Sequence, residues 1–185
     1  MKIYSLSIVQ VPSSGASSLL TSASDLSSFS FYQKGSVGEF MQFFSKMVAE
    51  RTAVGQRQSI QENNYIAHVY NRGGPEQLAG KEFVESRQCS KPCLVAVVIT
   101  DQEYPVRPAF SLLAKILDEF TSNVPQELYD NPSSISFPEI DSYVRKYQDP
   151  EQADPIMRVQ AELDETKIIL VRLQVKSRLC QSLDD

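Results

Sequence analysis

From Lys2 to Val11 apolar and polar residues alternate, with Tyr4, Leu6 and Ile8 on one face and Ser5 and Ser7 on the other. That period of two predicts a half-buried strand. Pro12, Ser13, Ser14 and Gly15 are turn residues, and Leu19 to Ala23 can pair back as a second strand. Asp25 to Gly35 is polar apart from Leu26, Phe29 and Phe31, and reads as a loop tethered by the two Phe rings.

Ser36 and Glu39 form an S-x-x-E capping box, the signature of a helix start. Val37, Met41, Phe44 and Val48 then fall on one face at helical spacing, with Phe40 at its edge. Phe43 lies roughly 120° from the centre of that stripe, at about 100° per residue, and Met47 falls between Phe43 and Phe40. The helix thus carries more apolar surface than one sheet face covers. Phe43 is either buried under a loop of its own domain or stands as the wall of an exposed groove.

Gln58 to Gln61 and Tyr65 to Asn71 predict two more strands around the turn Glu62-Asn63-Asn64. Leu94 to Thr100 is the fifth. Pro105 or Pro108 suits the first turn of a helix. Ala109, Leu112, Leu113, Ile116, Leu117 and Phe120 give that helix the cleanest stripe in the chain. Ser122 to Ser134 is rich in Pro, Asn and Ser and reads as a loop. Phe137, Ile140, Tyr143, Val144 and Tyr147 predict a short third helix, stopped by Asp149-Pro150. Strand, strand, helix, three strands, helix, helix is the order of a three-layer α+β domain. It is an antiparallel sheet between one helix and two.

Beyond a polar linker at 149–154 the spacing changes. Ile156, Val159, Leu163, Thr166, Leu170 and Leu173 are separated by alternating steps of three and four. That is a coiled-coil seam, which needs a partner helix or a groove to cover it.

Composition and charge narrow the function. The net charge is −5, with no basic stripe, so nucleic-acid binding is not expected. The longest apolar run, Leu94 to Ile99, is far short of the ~20 residues that span a bilayer. The alternating N-terminus is unlike a signal peptide. The expected compartment is the cytosol, where the three cysteines are reduced thiols. No phosphate-binding Gly-rich loop, HExxH or Cys/His nucleophile arrangement occurs, so neither an enzyme nor a cofactor is expected. His68, the only histidine, reads as structural. Cys89 and Cys93 are four apart, without the two further ligands of a zinc site.

The blocks SLSIVQV, SDLSSFSFYQKGSVGEFMQFF, VAERT, GQRQS, HVYNR, EYPVRPAFSLLAKILDEF and SFPEIDSYVRKYQDP, followed by ADPIMRVQAELDETKIIL, share their order with a known family. They resemble the longin-domain R-SNAREs of the lipid-anchored synaptobrevin-homologue type. The resemblance implies a longin (profilin-like) domain over residues 1–148 and a partial SNARE coiled-coil segment over 155–185. It implies Q-type SNAREs as partners in a helical bundle, and cycling to Golgi, endosomal and vacuolar membranes. It also implies that the SNARE segment folds back on the first helix, with Phe40, Phe43 and Met47 lining its groove.

Two stretches depart from the family. Lys81 to Ala96 separate Leu78-Ala79-Gly80 from Val97-Val98-Ile99, which the family joins directly. The reading is a surface insertion, whose deletion is expected to keep or raise the melting temperature. After Leu170 the layer Arg of the family falls on Cys180, the layer before it on Ser177, and the C-terminal lipidation box is absent. The expectation is a chain that neither anchors itself nor completes a fusion bundle. The alternative reading is a stand-alone longin module, like the small subunits of coat adaptors or tethering complexes.

Overall fold

The computed structural model describes residues 2–12, 16–73 and 92–149. Five strands form one sheet: β1 (Ile3–Val11), β2 (Ser18–Ser24), β3 (Arg57–Glu62), β4 (Tyr65–Gly73) and β5 (Cys93–Asp101). Their order is β2-β1-β5-β4-β3, and every neighbouring pair is antiparallel. The three helices are α1 (Phe31–Arg51), α2 (Val106–Asn123) and α3 (Glu139–Tyr147). Two short 3-10 turns, Gln126–Asp130 and Pro132–Ser134, fill the expected loop between α2 and α3.

β5 is the central strand, and its apolar run has no polar side to show because both faces are covered. Val95, Val97 and Ile99 join Met41, Phe44 and Val48 of α1 in one core. Leu94, Ala96 and Val98 join α2 and α3 in the other. All six stripe residues of α2 are fully enclosed. Between β3 and β4 the reversal is tight, with Glu62 paired to Tyr65. Asn63 adopts φ 53, a left-handed conformation that asparagine tolerates better than most residues.

Two expectations need correction. The first is the start of α1. Ser36 and Glu39 lie inside the helix, both exposed, so their box does not open it. The chain enters at Ser30, whose carbonyl accepts from the N–H groups of Gln33 (3.0 Å) and Lys34 (3.2 Å). Phe29 does anchor the preceding loop, against Tyr4, but Phe31 is 85% exposed and anchors nothing. The second concerns the insertion. Its last four residues, Cys93 to Ala96, are the start of β5. They pair with Val11 to Ile8 of β1, and Leu94, Val95 and Ala96 pair with Gly73, Asn71 and Tyr70 of β4. They are core, because a central strand must hydrogen-bond on both sides along its full length.

Candidate functional site

An α-helix is about 10 Å across and strands are about 4.8 Å apart, so one helix covers roughly two strands. The α1 face of a five-stranded sheet is therefore left partly open. α1 packs over β1, β5 and β4 and reaches β2, which leaves the β3 edge least covered. At the β3–β4 edge Ile60 and Tyr65 remain half-buried against the α1 core, and so does Met47 of α1.

An aromatic line crosses this open strip. Phe29 meets Tyr4 with ring centroids 5.8 Å apart, Tyr4 meets Tyr65 edge-on at 5.3 Å, and Tyr65 meets Phe40 at 6.2 Å. Phe40 then stacks on Phe44 at 5.7 Å. Phe44 is buried, whereas Phe43, its neighbour in sequence, is 64% exposed. Phe40, Phe43 and Met47 share one side of α1 at helical spacing, with Phe40 in contact with Tyr65, Met47 half-buried against the α1 core and Phe43 exposed.

Of the two readings of Phe43, burial under a loop is overturned. The sequence reading missed the two tyrosines. Alternation put Tyr4 on the face of Leu6 and Ile8, but those two lie in the α2–α3 core, whereas a register irregularity between Ile3 and Ser5 leaves Tyr4 on the α1 side.

Little in the groove is ionisable. Burial, then the nearby Asp101 carboxylate, raises the Tyr4 phenol above its ordinary value, so it stays a neutral donor. His68 is on the other face of β4. It is fully enclosed, edge-on to Phe110, with Ser59 Oγ 2.8 Å from Nδ1. Burial pushes it down to about 4, so it is a neutral core residue at physiological pH. Among the described residues no three His, Cys, Asp or Glu side chains gather as metal ligands, and no helix is long and apolar enough to cross a membrane. Cys93 is buried in β5, and Cys89 lies outside the described residues. The seam residues Ile156, Val159, Leu163, Thr166, Leu170 and Leu173 lie outside them too.

Exposed apolar side chains on α1 are the kind of surface that protein partners cover. The model of the longin family, described as a regulated-SNARE-like domain, matches residues 26–144. "Synaptobrevin homolog ykt6" of Schizosaccharomyces pombe is 50% identical over 171 residues, covering 92% of this chain and 77% of that protein. "Synaptobrevin homolog YKT6" of Debaryomyces hansenii is 48% identical over 174 residues, and that of Eremothecium gossypii 49% over 175. Each of those two matches covers 92% of this chain and 78% of the relative. The chain belongs to the longin-domain R-SNAREs, in the group of these synaptobrevin homologues. A stand-alone adaptor-like module is not favoured, because the likeness runs well past the longin domain.

Proposed function

We propose that this SNARE of vesicle transport seats its own SNARE segment in the groove of Phe40, Phe43 and Met47, and so withholds it from partner SNAREs. The exposed ring of Phe43, three residues on from Phe40, which meets Tyr65, is the observation that carries this reading. A helix with an a/d seam and an apolar groove are complementary, the usual helix-in-groove mode. Full burial of a phenyl ring stabilises by ~1.5–3 kcal/mol, enough to hold a tethered segment and little enough to release it. Once released, the seam of Ile156, Val159, Leu163, Thr166, Leu170 and Leu173 would zip with Q-type SNAREs on Golgi, endosomal or vacuolar membranes.

The test is Phe43→Glu in the full chain. A carboxylate in the wall disfavours an apolar segment against it by several kcal/mol. The substitution leaves the core alone because Phe43 is exposed. Cleavage by a protease near Pro155 should accelerate and Q-SNARE binding should rise, with the melting temperature retained. Unchanged cleavage and unchanged binding would refute the clasp.

A further inference from the structure

The two edges of the sheet are built differently. β2 meets β1 with a register irregularity at Ile8 and Val9, and α3 and the second 3-10 turn pack on it. Bulges and covering elements are how folded chains keep an edge from pairing with another strand. β3 has neither device. Among the described residues it pairs with β4 alone, in unbroken register, and the helices leave it least covered. No proline interrupts it, and its charges, Arg57 and Glu62, stand only at its two ends.

Register fixes which groups face outward. The Gln56 carbonyl accepts from the Asn71 N–H of β4 at 3.0 Å. That direction alternates along an antiparallel ladder. Gln58, Ile60 and Glu62 therefore turn their backbone groups to β4, and Arg57, Ser59 and Gln61 turn theirs to the free edge. Side chains alternate too. Ile60 is half-buried on the α1 face, and Gln58 and Glu62 share that face.

We propose that β3 docks on β3 of a second copy of this chain, the two strands antiparallel about a two-fold axis at Ile60. In this register Ser59 of each copy lies opposite Gln61 of the other, and both residues offer outward N–H and carbonyl groups to exchange. Ile60 meets its own counterpart at the axis, in the close pair that makes no backbone bonds, and a side chain left half in water is covered. Gln58 falls opposite Glu62, an amide donor against a carboxylate. The Arg57 end of each strand lies beside the Glu62 end of the other, so the edge is complementary in charge to itself and no like charges stand opposite. Centring on Ser59 would use the same outward groups but set Ile60 against Gln58. The contact is isologous and closes at two copies, with both α1 helices on one face of a continuous sheet.

The test is sedimentation equilibrium of the full chain from micromolar to millimolar concentration. Wild type should pass from monomer to dimer. Gln61→Pro removes an outward N–H and blocks the approaching strand, while the β4 ladder keeps its bonds. It should stay a monomer with its melting temperature retained. Gln58→Lys sets an ammonium opposite Glu62, twice by symmetry, and should tighten the dimer several-fold. With diamide, Ile60→Cys should link to its counterpart through the new thiol, as mapped by peptide mass, whereas Gln61→Cys, which is not opposite itself, should not. Hydrogen exchange at Arg57, Ser59 and Gln61 should slow as concentration rises.

A wild-type chain that stays monomeric at millimolar concentration overturns the proposal. So does slow exchange at those three amides that is independent of concentration, which would mean that a segment of the same chain occupies the edge. A dimer that fails to link through Ile60→Cys and is indifferent to Gln58→Lys uses another surface and overturns it as well. These two variants decide the matter even if Gln61→Pro does not fold.

Discussion

A buried neutral histidine makes folding stability depend on pH in a way that can be worked out beforehand. His68 is enclosed between Ser59 of β3 and Val98 of β5, with Phe110 of α2 over it. Burial lowers it to about 4, while in the unfolded chain it has its ordinary value of about 6.5. Above 6.5 both states carry a neutral ring and His68 contributes nothing to the pH dependence. Below 6.5 the unfolded chain takes up a proton that the folded protein refuses. Stability then falls, at up to ~1.4 kcal/mol per pH unit, until the folded form titrates near 4. Between about pH 7.5 and about pH 5 the loss should come to about 2 kcal/mol. Carboxylates also titrate as acid is added, so the measurement is a double difference. Urea unfolding of wild type and of His68→Leu at the two pH values should show wild type losing about 2 kcal/mol more than the variant. Equal losses would refute the argument, as would an imidazole that titrates near 6.5 in the folded protein.

Other substitutions test the packing around the groove and the sheet. Phe44→Ala should cost ~3–5 kcal/mol in chemical denaturation and Phe43→Ala no more than the ~1.5–3 kcal/mol of a ring covered only by the clasped segment, because the adjacent phenyl rings are 1% and 64% exposed in the domain. Gly35→Ala should raise stability by about 0.5–1 kcal/mol, since a Cβ there meets nothing within 4 Å in an exposed helical turn. Deleting Lys81 to Pro92, which leaves Cys93–Asp101 whole, should keep the cooperative thermal transition, because the buried residues of β5 stay in place.

What could be read from the chain alone followed from periodicity. Alternation located β1 but not its surroundings, since Ser5 and Ser7 are buried and both faces of the strand are covered, whereas the six-residue stripe of α2 is buried in full as its period predicts. The start of α1 was less legible. Its first turn has no acidic residue and no side-chain cap, and Gly35 and Gly38 depress helix propensity just where a capping box appears further on. The insertion boundary was hidden for a different reason. Cys93 to Ala96 are apolar enough for a strand, and their inclusion in the insert came from the family junction, which says nothing about hydrogen-bond register. For the groove, Phe43 stood out as a phenyl off its own helix stripe. The Tyr4–Tyr65–Phe40 floor is built by residues from three elements, and no local pattern joins them.

That floor also has an optical consequence. The chain contains eight tyrosines and no tryptophan, so its native ultraviolet emission is weak and comes from many sites at once. Tyr65 touches both Tyr4 and Phe40 and is half-buried where the groove opens. An indole placed there would be the sole strong emitter of the whole protein. Its colour would shift blue when an apolar segment covers it and red when water replaces that segment, so the vacancy of the groove could be followed in real time without any external dye.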